Sequence, residues 1–142
     1  MKSSKDILAS TLKSAQMGQT GIRTVLNRPL DFSLRQALRS QLNEYNTVER
    51  KAQAIAFSRG WNLEDLDPML KTMAKVTARA RLNSKNTTSK VAAMVITGNT
   101  RGMVKSLKNL HQYSGHDQAV SSLAHDLLGY ERDNITQMQG YV

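Results

Sequence analysis

Residues 31–60 read DFSLRQALRSQLNEYNTVERKAQAIAFSRG, and their spacing decides the fold. Leu34, Leu38, Gln41, Tyr45, Val48, Ala52 and Ile55 recur at intervals of three and four, with Leu42 and Ala56 beside them. That is the one-faced pattern of an amphipathic helix. Asp31 or Ser33 is placed to cap its start, and Gly60 stands where a helix commonly stops in a left-handed turn. A helix from Asp31 to Arg59 is about 40 Å long. Polar residues, Gln41 and then Glu44, interrupt its face near the middle.

The same pattern recurs on either side. Upstream, Leu8, Leu12, Ala15, Gln19, Ile22 and Leu26 share one face of a helix expected over residues 4–27. Ser3 or Ser4 is its N-cap, with Asp6 in the first turn, where a negative charge suits the helix dipole. Gly18 and Gly21 weaken this helix and are read as points of close helix packing. Pro29 ends it, and the short connection to residue 31 calls for an antiparallel partner. Downstream, Asp67-Pro68 opens a short helix over 68–82, with Met69 and Met73 on its apolar side. A further helix is expected over 87–113, with Ala92, Ile96, Asn99, Met103, Leu107, Leu110 and Tyr113 on one face. Gly98 and Gly102 lie within it, where they permit a kink or a close crossing. The last helix, over 117–139, is capped by Asp117 and turns Val120, Leu123, Ala124, Leu127, Glu131, Asn134 and Met138 inward. These stripes predict an all-α fold: an antiparallel four-helix bundle in one domain, residues 1–142, with a short extra helix between the second and third long ones.

Composition agrees. Aromatic residues make up only 5% of the chain, too few for a typical β-sandwich core. Cysteine is absent, which removes disulfides, zinc thiolates and cysteine nucleophiles and fits a reducing cytoplasm. The longest apolar run, Val91 to Ile96, is far short of the ~18 residues of a membrane span, and the N-terminus has no signal-peptide core. A soluble cytoplasmic protein is expected.

The formal charge is +9, and its distribution is uneven. Between Pro68 and His116 there are nine basic residues and no acid. Lys71, Lys75, Arg79, Arg81, Lys85 and Lys90 define a candidate surface for anions, and non-specific binding of DNA or another polyanion through the basic 71–108 region is the alternative function it would serve. Aromatic residues are almost missing from this region, which argues against base stacking.

The layout of two paired helices, a connection with helical content and two more helices resembles the ferritin-like superfamily, including its small bacterial and spore-coat-like members. The resemblance implies a spore- or stress-related bundle. In the di-iron members, one helix of each pair gives a Glu and the other a Glu-x-x-His. Here Gln19 and Asn99 stand at the single-Glu positions, while Glu44-Tyr45-Asn46-Thr47 and Glu131-Arg132-Asp133-Asn134 stand at the paired ones. Two carboxylates and no histidine remain, too few ligands for di-iron chemistry. No cofactor is expected. Glu44 and Glu131 are the residues that a lone iron or manganese ion would use, in the alternative of a metal-binding oxidoreductase. The favoured reading makes Gln19, Gln41, Glu44, Asn99, Glu131 and Asn134 a buried polar layer that sets helix register, with Glu131 accepting from Gln19, Asn99 or Tyr45. His111, His116 and His125 are read as surface residues, since none has a zinc-binding spacing. The expected function is non-enzymatic: self-association, or binding to another protein. Met17, Met69 and Met73 are candidate contact residues.

Overall fold

The computed structural model describes residues 1–65 and 87–142. They are all-α and form four helices: α1 (Ser4–Val25), α2 (Phe32–Arg59), α3 (Thr87–Gln112) and α4 (Gln118–Gln139). Each lies within two residues of its expected bounds. The helix expected over 68–82 lies outside the described residues, as do Met69, Met73, Lys71, Lys75, Arg79, Arg81 and Lys85. No helix among the described residues is long and apolar enough to cross a membrane.

Local chemistry accounts for the helix ends. Ser3 and Asp6 form a reciprocal capping box at the start of α1. Asp31 occupies the N-cap of α2 without a side-chain bond. The α1–α2 turn is instead held by Arg35, whose guanidinium donates to the carbonyls of Leu26 (2.6 Å) and Arg28 (2.7 Å). These carbonyls follow the end of α1, where backbone acceptors have no helical partner. Gly60 closes α2 at φ 69°, a left-handed conformation that glycine adopts without steric cost. The next amide, of Trp61, then bonds back to Ala56 (2.9 Å). Asp117 caps α4 through the amides of Ala119 and Val120, and the Arg59 guanidinium grips the same carboxylate at 2.8 and 3.1 Å, joining the end of α2 to the start of α4.

The core takes side chains from all four helices, with Leu8, Leu12, Leu34, Leu38, Val91, Leu127 and Met138 almost wholly buried. α1 packs against each of the other three helices. Its buried stripe is correspondingly wider than periodicity alone indicates, taking in Ile7, Thr11, Gln16, Thr20 and Val25. α3 departs from expectation in the other direction. Its most buried positions include Ala92, Asn99, Ser106 and Asn109, while Ile96, Met103, Leu107 and Leu110 are half-buried. Where a buried carboxylate from α4 faces it, the seam of α3 is thus small and polar. α3 is a continuous helix through Gly98 and Gly102.

The two glycines of α1 differ. A Cβ on Gly18 would sit 2.6–2.8 Å from three carbons of the buried Tyr45 ring, whereas a Cβ on Gly21 would meet nothing within 4 Å. The close-packing reading therefore holds for Gly18 and not for Gly21. Gly21→Ala is expected to stabilise the protein by about 0.5–1 kcal/mol through helix propensity. Gly18→Ala is expected to lower the melting temperature despite the same propensity gain, since the ring it displaces is tethered through its hydroxyl. Thermal denaturation of the two variants checks the opposite signs.

Candidate functional site

The polar groups at mid-bundle are the candidate site. Glu131 projects from α4 and is only 2% exposed. Its Oε1 accepts a hydrogen bond from Ser106 Oγ on α3 at 2.9 Å. The carboxylate fits because position 102, one turn earlier on α3, is glycine: a Cβ there would overlap Glu131 Oε2. Burial drives the Glu131 pKa up to about 7, against smaller lowering effects from Ser106 and the positive charge of Lys105. The partner differs from the expected Gln19, Asn99 or Tyr45. The reason is steric: the small residues Gly102 and Ser106 bring the α3 backbone up to the carboxylate, and the amides are engaged elsewhere.

Each of those other groups has its own partner. The Tyr45 hydroxyl crosses from α2 to donate to Asn99 Oδ1 (2.5 Å) in the interior. Burial, with Glu131 and Glu44 nearby, raises its pKa and keeps it a neutral donor. Gln41 Nε2 donates to Gln137 Oε1 (3.1 Å), linking α2 to α4. Gln19 Nε2 donates to Glu49 Oε1 (3.3 Å), linking α1 to α2. Gln41 Oε1 and Asn134 Nδ2 are buried without a hydrogen-bond partner. Asn134 lies beside the Glu44 carboxylate, short of hydrogen-bond geometry, and partly offsets the rise that burial gives the Glu44 pKa.

Of the six residues expected in a buried layer, Gln19, Gln41, Asn99, Glu131 and Asn134 are buried, and Glu44 is half-buried. Glu44 is thus a correction. It lies at the edge of the layer beside Asp133 and Asn134, while Glu131 points to α3. The two carboxylates named as metal candidates have different hydrogen-bonding neighbours, although both lie near enough to Tyr45 to act on its hydroxyl. Among the described residues, no group of three or more His, Asp or Glu is arranged to hold a metal ion. His111, His116 and His125 are exposed, as expected, and Met17 is half-buried. Lys90, the described member of the expected cationic surface, is half-buried in the first turn of α3. Sequence reasoning named Gly102 as a point of close crossing, which it is, but missed Ser106, Gln137 and Glu49. A glycine and a serine four apart on one helix face were the available signal for a side chain inserted from opposite.

No family model matches this chain, and neither a curated protein nor a solved structure matches it.

The raised pKa makes stability depend on pH. Glu131 binds its proton more tightly folded than unfolded, so its contribution is full below the ordinary value of 4.5 and is lost as pH rises through about 7. The difference is on the order of 3 kcal/mol. Denaturant unfolding should show the protein more stable at pH 5 than at pH 8. Glu131→Gln, which still accepts from Ser106, should be the more stable protein at pH 8 and should flatten the profile between these values.

Proposed function

We propose that this chain is a non-enzymatic, ferritin-like antiparallel bundle that works by self-association or by binding another protein. The observation that carries the non-enzymatic reading is that the mid-bundle groups engage one another: Glu131 with Ser106, Tyr45 with Asn99, and Gln41 with Gln137. A carboxyl that titrates near neutrality has the pKa of a general acid or base. Glu131, however, is 2% exposed and covered by α3, out of reach of a substrate. The layer sets helix register instead, since shifting any helix by a turn would leave buried polar groups unpaired.

The antiparallel, ferritin-like arrangement is supported by hydrogen bonds between helix ends. Ser4 at the start of α1 bonds Tyr113 just past the end of α3 (2.6 Å). Ser33 at the start of α2 bonds Tyr141 just past the end of α4, and Arg59 at the end of α2 bonds Asp117 at the start of α4. The amide of Asp31 donates to Thr88, near the starts of α2 and α3 (3.3 Å). Two helix pairs joined by a long connection between α2 and α3 satisfy these contacts.

Association is supported by two aromatic side chains on α2, Phe57 at 90% exposure and Phe32 at 73%. Burying either ring in an interface gains about 1.5–3 kcal/mol relative to leaving it in water. Light scattering after size exclusion should give the wild type a mass that is a multiple of 15.8 kDa, and Phe57→Ser should lower it. Protein purified without a chelator should carry iron and manganese below stoichiometry. A monomer holding one metal ion per chain, lost in Glu131→Ala, overturns this reading.

A further inference from the structure

A cleft of about 370 Å³ lies at the end of α3, lined by Lys2, Arg101, Val104, Lys105, Lys108, Asn109 and Gln112. It lies apart from the mid-bundle layer, and three of its cations, Arg101, Lys105 and Lys108, fall at the C-terminal end of the basic 71–108 region. Of the described residues that line it, four are cations and none is an acid. Arg101, Lys105 and Lys108 are exposed and stand at positions i, i+4 and i+7 of one helix, so they share a face, spread over roughly 10 Å of its axis.

The fourth cation arrives from the other end of the chain and is held in place. The Lys2 amide donates to the Gln112 carbonyl (2.7 Å), and the Ser114 amide donates to the Lys2 carbonyl (3.0 Å). The Lys2 ammonium donates to Asn109 Oδ1 (2.9 Å). Asn109 is buried, and its Nδ2 donates to Ser10 on α1 (2.6 Å), so the amide at the floor of the cleft is itself oriented. Two carboxylates lie within charge range of cleft cations, Asp6 of Lys2 and the buried Glu131 of Lys105, but their hydrogen bonds are made away from the cleft. Asp6 is taken by the α1 capping box and Asp117 by Arg59. Arg59–Asp117 is the one ion pair among the described residues. The C-terminal end of a helix carries about half a negative charge, which four cations outweigh.

We propose that this cleft binds a linear chain of phosphates, either a free oligophosphate or the backbone of a single nucleic-acid strand. The row of cations matches successive charges along an extended anion, and Arg101 adds a planar fork suited to phosphate oxygens. Among the described residues that line the cleft none is aromatic and able to stack a base, so the phosphates are what it recognises. Its volume is that of a small-ligand site and exceeds what one phosphate fills.

The test is titration calorimetry on the full chain at about 50 mM salt. The probes are inorganic tripolyphosphate, orthophosphate, an oligo-dT strand and an oligoglutamate peptide. The Lys2→Ala/Arg101→Gln/Lys108→Gln variant is compared with Arg39→Gln/Arg50→Gln/Lys51→Gln, which removes the same charge from the exposed face of α2. Lys105 is left intact because its charge acts on Glu131. The wild type should bind tripolyphosphate or oligo-dT at least about tenfold more tightly than orthophosphate or the peptide, with log K falling linearly in log salt. The cleft variant should lose at least about tenfold in affinity and reduce the salt slope by about 2, while the α2 variant changes neither by as much. Binding of tripolyphosphate alone assigns a free oligophosphate, and binding of oligo-dT assigns a nucleic-acid strand. Amide shift perturbations in the wild type should centre on Lys2, Lys108 and Gln112, which keeps the test independent of the variants' folding. The proposal is overturned by no binding of either phosphate chain to the wild type, by equal losses in the two variants, by equally tight peptide binding, or by shifts centred elsewhere.

Discussion

A carboxylate that lies beneath a helix with one hydroxyl partner sets the terms for the rest of this bundle. Glu131 is almost wholly buried, and the isolated charge is costly enough to raise its pKa to about 7. To receive it, α3 must present no side chain at position 102 and a small hydroxyl at position 106. Around that contact the buried positions of α3 are small or polar, Asn99 and Ser106, while Met103 and Leu107 lie only half-buried; its apolar burial is at the start of the helix, at Val91 and Ala92. The contact explains why a helix with a glycine at its centre remains straightforwardly packed against α4.

The other polar contacts at this level follow the same logic with neutral groups. Tyr45 is 6% exposed and passes so close to α1 that position 18 must be glycine, and its hydroxyl then reaches Asn99. Thus two glycines, Gly18 and Gly102, each make room for one polar side chain from a neighbouring helix. Neither serves as a hinge, and both are paired with a group that would be unsatisfied in a shifted register. On the proposed reading, the layer selects one arrangement of helices more than it adds net stability, a role that buried polar groups play in some proteins.

Much of the fold was legible in the sequence because period and capping are local properties. The stripes of α2 and α4, the Ser3–Asp6 box, the Asp117 cap and the Gly60 stop depend on residues within a turn or two of one another. The identity of the polar layer was legible for the same reason: Gln19, Gln41, Asn99, Glu131 and Asn134 fall on apolar faces and are buried. Their pairing was not legible. Ser106 is in phase with Asn99 and Leu110 but is a small polar residue that an apolar stripe does not single out, and Gln137 lies off the buried face of α4, yet these are the partners of Glu131 and Gln41. Lys2 gave no sequence signal at all, because the backbone pairing that fixes it spans more than a hundred residues.

The sequence by itself determined that this chain forms amphipathic helices, where those helices begin and end, and that polar residues, mostly amides, interrupt their buried faces. Each of these follows from short-range periodicity and residue chemistry. Only the tertiary structure decided which polar groups meet, that Glu44 sits at the edge of the layer while Glu131 is buried against α3, and that Lys2 joins Arg101, Lys105 and Lys108 around one cleft. Those outcomes depend on the rotation and depth of one helix against another. Small residues such as Gly18, Gly102 and Ser106 set these distances, and their effect is felt only by the side chain packed opposite.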